Sequence, residues 1–595
     1  MDGRAGGAPR VRLPMLLTGV ALIAAFFSLH RGSNTLRVTF VPPWDRSAPG
    51  ELYFWLASIM FLLPGCTLIG ASLAGVLGPG ISRLSARLRR ADPSERLAMV
   101  LALSVLTFMV ARIGNQVFLH GQPFTDDEAA ARFGGQVLAR GALWSPLPPM
   151  RHAFPELFLF QRQGAWTSFD FLGALLTWSL SDLTRSDTLV FSLVAAIPVP
   201  ALAALVTRQY GLPRGLGAAC LLLCSPMALT LSFTSHTHVV SRGLLALGLT
   251  IILFVEHASL LRSAGAGLAL GLAWATRPPE ISALLAPLLL GYAYDALRRT
   301  DERKRLLGLA LGALPPVIAT FAYNVAIGGS LGFLRGARNE ISVPYASAMR
   351  GALELEFWPP RFGNNLSYNA LTLSIWFLGP LGLVLSYAGA SSSRTHKLLG
   401  LGVLLLLALC LLHDDRGLHM VGPIHLSESA VPLALLCVAG LASLFDLLEK
   451  LAVPRVVSQC GALGYTVLGL LTFGMWHTRA LEQQAITTET LLNKVAEVER
   501  QPAIVLAAPF GELHNEQSPH GSTGGFVFEW PRARPDLAEA VLIVHDSKEA
   551  RLEVERAFPQ RTPYVFDPRH YGVFPVSLAE ALQLDAEAAA AKPAP

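Results

Sequence analysis

Thr125-Asp126-Asp127-Glu128-Ala129 follows closely on the apolar segment 97–119, in a chain built largely from such segments. Ionised side chains are costly in a bilayer, so carboxylates bunched at the outer end of a span mark a candidate functional site. The residues that follow, Ala129-Ala130-Ala131-Arg132-Phe133-Gly134-Gly135-Gln136-Val137-Leu138-Ala139-Arg140-Gly141, read as a short helix stopped by glycine. The acids then sit at its N-terminal end, where the helix dipole and unsatisfied backbone N–H groups favour negative charge. A plain N-cap role for Asp126 is the structural alternative.

Composition sets the class. Of 595 residues, 52% are hydrophobic and 15% charged, with a net charge of +5. Soluble domains carry about 25% charged residues. The basic residues form short clusters between apolar runs rather than one nucleic-acid-binding tract, the pattern of a polytopic membrane protein. All six cysteines lie in apolar runs. Cys220 and Cys224 share a helical face but lack further His or Cys ligands, so they read as small apolar filler.

A membrane-crossing helix needs about 20 mainly apolar residues. The expectation is a mainly α, polytopic protein with about thirteen such helices: 13–29, 52–77, 97–119, 188–207, 215–234, 238–256, 264–278, 281–297, 306–326, 366–388, 398–412, 429–447 and 458–476. Segments 264–278 and 398–412 are short, and Pro278-Pro279 makes a tight turn between two of them. Arg4, Arg10 and Arg12 precede the first span. Arg83, Arg87, Arg89, Arg90 and Arg96 follow the second, and Arg298, Arg299, Arg303, Lys304 and Arg305 the eighth. Short basic loops stay cytoplasmic. The N-terminus is then inside, while loops 120–187 and 327–365 and the tail 477–595 are outside. The first span also has the basic start of a signal peptide, but its apolar run is longer than usual, which favours an uncleaved anchor.

Within loop 120–187, residues 169–178 read as a helix at the membrane interface, with Trp166 and Trp178 as headgroup-level anchors. Loop 327–365, with Arg335, Arg338, Glu340, Arg350 and Trp358-Pro359-Pro360, is a second candidate binding loop. The tail differs in kind. It offers a polar helix over 479–500, strands at 503–507, 540–544 and 564–566, and a helix over 548–558, which together read as a small soluble α/β domain. Its last dozen residues read as a disordered tail. The acids of this domain are dispersed, so it is expected to be accessory. The domains are therefore 1–96, 97–476 and 477–595. Glycines at 265–271 indicate close helix packing, not phosphate binding.

These features carry a resemblance. Asp127-Glu128 ahead of a helix ending Leu138-Ala139-Arg140-Gly141, then Gly164-Ala165-Trp166-Thr167-Ser168-Phe169, Ala275-Thr276-Arg277-Pro278, Tyr323-Asn324 and a soluble outer tail resemble the GT-C superfamily of integral membrane glycosyltransferases. The similarity is to the bacterial branch of protein O-mannosyltransferases, aminoarabinose transferases and rhizobial galacturonic-acid transferases. It covers most of 97–476, and 1–96 looks like an N-terminal addition.

The resemblance implies a polyprenyl-phosphate-linked sugar donor, an envelope acceptor and chemistry at the outer face of the bacterial cytoplasmic membrane. It implies Asp127 as catalytic base. Beside it, Asp126 is expected to orient the acceptor or the loop, and Glu128 to support the helix start. A carboxylate can take a proton from an acceptor hydroxyl, and a lipid-phosphate leaving group needs cationic or N–H partners. Arg277 is the first choice for the phosphate, with Arg162, Arg335, Arg338 and Arg416 behind it. Snorkelling is the alternative for Arg277. Where the family often has a further acid, this chain has His236 and His238. These read as phosphate or acceptor contacts, as metal ligands with Asp126, or as interfacial polar residues. No cofactor is expected, a divalent metal being possible but not favoured. A flippase of a lipid-linked sugar is the rival reading, since transporters also handle such substrates. It would place ionisable groups near the midplane, whereas the charges here collect in outer loops. A catalytically silent envelope scaffold is the other.

Overall fold

A computed structural model describes residues 11–31, 55–123, 125–154, 159–162, 164–186, 188–254, 259–329, 331, 359–412, 418–419, 422–508, 533–568 and 570–591. The chain is mainly helical. Helices α1 (Leu13–Arg31), α2 (Trp55–Ser72) and α3 (Ala74–Arg89) come first, followed by α4 (Pro93–Phe118). The start of α4 is set by a capping box. Glu95 N–H donates to the Asp92 carboxylate at 2.9 Å, and Asp92 N–H donates to Glu95 at 3.1 Å. Two orphan N–H groups of the first turn are thereby satisfied, and Pro93 supplies a φ suited to the first helical position.

The next segment holds α5 (Asp126–Ala139), a three-stranded antiparallel sheet of β1 (Ser145–Pro146), β2 (Leu159–Arg162) and β3 (Ala165–Ser168) in the order β1-β3-β2, and α6 (Leu172–Leu183). The bundle continues through α7 (Leu189–Tyr210), α8 (Leu212–Leu223), α9 (Pro226–Ser232), α10 (Thr237–Phe254), α11 (Leu260–Thr276), α12 (Pro278–Ala296) and α13 (Thr300–Gly328). Then come α14 (Pro359–Leu373), α15 (Gly379–Ala390), α16 (Arg394–Leu412), the short strands β4 (Leu418–His419) and β5 (Gly422–Pro423), and a 3-10 turn at Ile424–Ser429. That turn leads into α17 (Ala430–Lys450), followed by α18 (Arg455–Leu463) and α19 (Leu471–Ala496).

Among the described residues, nine helical stretches are long and apolar enough to cross a membrane. Thirteen were expected. The others are helical but fall short: Leu13–Leu29 is short, α11 has 17 residues, α12 carries Glu280 near its start, and α8 and α9 form one segment bent by 67°. Pro226 begins α9 just past the bend, where a proline cannot continue the previous helix's hydrogen bonding. The bundle is tightened by small residues. A Cβ on Gly267 of α11 would collide with the Leu309 carbonyl of α13, and one on Gly312 with the Ala264 carbonyl. Such contacts bring two backbones close, which is how helices associate where lipid supplies no hydrophobic drive.

Strands β6 (Ala503–Ala507), β7 (Val541–His545), β8 (Thr562–Phe566) and β9 (Val576–Ser577) form a sheet ordered β7-β6-β8-β9, parallel except at β9. Helices α20 (Lys548–Ala557) and α21 (Leu578–Ala591) accompany it. Every residue of β6 is buried, as a central parallel strand requires. Arg551 pairs with Asp546 at 2.6 Å and Asp585 at 2.7 Å. Hydrogen bonding to Asp546 raises its pKa above the usual arginine range.

This sheet and the first outer segment share one core. Phe133, Val137, Phe154 and Trp166 cluster with Ile504, Val544, Val554 and Phe558. At the rim, Arg140 pairs with Asp536 at 2.7 Å and Ser145 Oγ–H donates to the Pro535 carbonyl at 2.9 Å. The two tryptophans expected as headgroup anchors belong to the interior. Trp166 is 1% exposed, against Phe133 and Phe154, and Trp178 is 2% exposed, against Phe191. Large flat rings bury more apolar area here than the interface would take from them. Helix α6 does present an exposed apolar face, at Leu176, Leu180 and Leu183.

Candidate active site

The acidic stretch is held by a helix start. Thr125, not Asp126, is the N-cap of α5. Glu128 N–H donates to Thr125 Oγ1 at 3.2 Å, and Thr125 N–H donates to Glu128 Oε2 at 2.9 Å. This is a capping box, with Thr125 and Glu128 at spacing three, one residue before the N-cap expected at Asp126. Glu128 has a second use. Its Oε1 accepts the Ser235 N–H at 2.5 Å, across 107 residues. A fully buried carboxylate thus ties α5 to the turn between α9 and α10. The turn is held from the other side by Asn115, whose Nδ2 donates to the Phe233 carbonyl at 2.7 Å.

That turn carries His236 and His238. Both are fully buried, not interfacial. Their rings stack with centroids 5.0 Å apart. His236 Nε2 stands 3.6 Å from Asp127 Oδ2, too far for a hydrogen bond but close for an ion pair. Asp127 keeps 10% side-chain exposure. His238 Nδ1 lies 2.7 Å from Glu428 Oε1. Glu428 also accepts the Ser241 hydroxyl on Oε1 and the Ser427 hydroxyl on Oε2, the latter at 2.9 Å.

The α11–α12 junction completes the group. Helix α6 packs there through Gly173, where any Cβ would strike Thr276. Arg277 is 2% exposed and donates to Glu280 Oε1 from Nε at 3.1 Å and Nη2 at 2.6 Å. His425 Nδ1 lies 3.1 Å from Arg277 Nη2 and 3.2 Å from Glu280 Oε1, and its ring stands edge-on to His238 at 5.7 Å. Arg277 is therefore no snorkelling anchor. Its Nη1 is buried and has no hydrogen-bond partner among the described residues, and the same holds for Glu280 Oε2. Leaving a buried charged donor unpaired is costly, so such an atom is a natural place for a ligand oxygen.

Asp127, His236, His238, Arg277 and Glu128 thus come together. Asp126 is the first residue of α5, and its side chain lies outside the described residues. The same is true of the Arg162 side chain, while Arg335, Arg338 and Arg416 lie outside them altogether. Sequence reasoning missed Glu280, His425, Glu428 and Arg242. Arg242 is buried one turn past His238, its Nη2 donating to the Ala228 carbonyl at 3.2 Å. All four lie within about two turns of a helix start on the site's side of the bundle. A signal existed, since ionisable residues inside apolar segments are functional candidates in their own right.

Chemically, the carboxylates are served differently. Glu128 is held by backbone N–H groups, Glu280 by a guanidinium, and Glu428 by two hydroxyls and an imidazole. Asp127 sits partly open, one imidazole away from that network. His238, Glu280 and His425 also bring ligand atoms within 4.8 Å of one another, a set able to hold a divalent ion. In the folded chain Arg277 already compensates Glu280.

No protein-family model matches the chain. A search of curated proteins finds no match either. Among solved structures, the chain is similar to ArnT from Cupriavidus metallidurans bound to undecaprenyl phosphate. The match covers 80% of this chain and 94% of that one, at 12% identity and a TM-score of 0.46. The apo state of the same protein matches at 12% identity over 80% and 93%, with a TM-score of 0.45. The Archaeoglobus fulgidus oligosaccharyltransferase, tethered to an acceptor peptide containing the NVT sequon, matches at 11% identity over 80% and 69%, with a TM-score of 0.39.

Proposed function

We propose that the chain is a multi-pass membrane glycosyltransferase. It moves a sugar from a polyprenyl-phosphate-linked donor to an envelope acceptor, which is a lipid, a glycan or a protein, at the outer face of a bacterial cytoplasmic membrane. The observation that carries this reading is one constellation: Asp127 3.6 Å from His236, and Arg277 beyond the histidine pair with a buried Nη1 that no described residue hydrogen-bonds. Asp127 takes the proton of the acceptor hydroxyl. That oxygen attacks the anomeric carbon as the bond from sugar to phosphate oxygen breaks. The phosphate leaves with the electron pair, and the Arg277 guanidinium stabilises it. His236 stands beside the Asp127 carboxylate without locking it. The reaction needs no redox partner, and a compensated Glu280 supports a site that works without a resident metal.

A lipid-linked sugar transporter is the reading to beat. It calls for ionisable groups near the midplane. Glu280, Glu428 and Arg242 are indeed inside apolar segments, but they gather at helix starts around the His236 turn. That supports chemistry at one membrane face. Mass spectrometry of lipid-linked sugars and envelope glycans, with and without the chain, tests the proposal. Accumulation of one lipid-linked sugar in its absence, with loss of one envelope glycan, is the expected result. Accumulation confined to the inner leaflet would favour the transporter instead.

A further inference from the structure

The arginine-rich end of the bundle holds a cavity of about 1090 Å³. It is remote from the site. Its wall uses the second half of α17, Cys437 to Leu448, whereas Glu428 precedes that helix. Most of α8, the first half of α15 and most of α18 supply other walls, and α3 closes one side with Ile81, Leu84 and Leu88. The interior is apolar, with Leu378, Leu381, Leu385 and Leu441 among its lining.

The rim is cationic. Arg89, Arg96, Arg214 and Arg455 all line it. Arg455 is answered by Asp446 and Glu449, each at 3.5 Å. The other three are not paired with a carboxylate among the described residues. Arg89 donates to Ser85 at 3.4 Å, Arg96 to the Ala91 carbonyl at 3.1 Å, and Arg214 lies 5.6 Å from the Tyr210 ring. Three guanidinium groups from α3, α4 and α8 therefore converge on the mouth of an apolar chamber. A neutral apolar ligand would leave them unanswered, and a soluble anion would leave the leucine walls wet. An amphiphile with a negative head answers both.

We propose that this cavity is a binding site for an anionic glycerophospholipid, its acyl chains between α15, α17 and α18 and its phosphate on Arg89, Arg96 and Arg214. The site stands apart from the transfer chemistry proposed above. The lipid would fasten the N-terminal helices to the rest of the bundle, since α3 meets α8 and α18 around it. Arginine recognises phosphate through several directed N–H groups, and clustered basic residues at a membrane surface select anionic lipids.

The test is native mass spectrometry of the purified full-length chain, offered phosphatidylglycerol, phosphatidylcholine or undecaprenyl phosphate at equal concentration. The expected result is retention of phosphatidylglycerol. The variant Arg89→Gln/Arg96→Gln/Arg214→Gln should weaken it by about fivefold per arginine removed. Gly217 lines the cavity, and a Cβ there meets nothing within 4 Å. Gly217→Leu should therefore intrude on the chamber and weaken lipid retention. The exposed Arg262→Gln, outside the cavity, is the control and should change nothing. Equal retention of phosphatidylcholine would overturn the proposal, as would preference for undecaprenyl phosphate or indifference to the triple arginine variant.

Discussion

Asp127 Oδ2 stands 3.6 Å from His236 Nε2, and the two residues reach each other from different elements, α5 and the turn ahead of α10. The carboxylate is poised beside a buried imidazole rather than locked against it. That is the geometry of a group that can still accept a proton. Asp127→Asn keeps the shape and removes the basic oxygen. Transfer from a polyprenyl-phosphate sugar in vitro should fall by roughly 10²–10⁴-fold, with normal folding. Asp126→Asn should cost far less. Full activity in Asp127→Asn would remove the base from this position.

Arg277 and Glu280 form a buried pair. Arg277→Gln leaves a carboxylate without its cation, which typically costs about 3–5 kcal/mol. Thermal unfolding in detergent should register that loss. The double variant Arg277→Gln/Glu280→Gln should recover most of the stability but not the transfer activity, because the phosphate has lost its guanidinium. Recovery of both would make the pair purely structural.

Glu128 acts at one remove. Glu128→Gln keeps one capping acceptor but loses charge-assisted bonding to Thr125 and Ser235, so α5 and the His236 turn should loosen by about a kcal/mol or more. If Glu128 only positions Asp127, kcat should fall more than the apparent KM changes, and the pH profile should keep its shape. A shifted profile would instead place Glu128 in the proton transfer.

Chelation separates the two uses of the histidine group. With Arg277 compensating Glu280, EDTA should leave transfer unchanged. Loss of activity restored by a divalent ion would reassign His238, Glu280 and His425 as a metal centre.

Much of this was legible in the sequence. Apolar length marked the helices, and the acidic cluster ahead of an apolar, glycine-stopped run marked α5, although its cap is Thr125 and not Asp126. Asp127, His236, His238 and Arg277 could be named because each stands at a break between apolar segments. What remained hidden was their company. Glu428 sits between two serines before an apolar run, and nothing local says that it meets His238 190 residues away. Glu280 lies one turn after Arg277, a spacing that reads as ordinary helix-start acidity. Arg242 looked like part of a span. Trp166 and Trp178 were misplaced for a related reason, since an indole in a loop resembles an interfacial anchor until the segment that covers it is known.

The tail was expected to be accessory, yet its sheet shares a core with the helix that bears Asp127. A stop after Trp476 would strip cover from Phe133, Phe154 and Trp166, each contributing roughly 1.5–3 kcal/mol when fully buried. Such a protein should insert but lose protease resistance in 120–187 and lose transfer. Retained transfer at normal abundance would show that α5 stands without the tail.

The shared core also fixes a parity. Residues packed into one core lie on one side of a bilayer, so the chain between Leu119 and His477 must cross an even number of times. Seven of the described helices in that stretch are long and apolar enough to cross. Of α11, α12 and the bent pair α8–α9, an odd number must then cross. Helices α11 and α12 meet at Arg277 and form a hairpin, crossing together or not at all. On that count the bent pair Leu212–Leu223 and Pro226–Ser232 is expected to be a crossing broken at its bend, rather than a loop that dips in and returns.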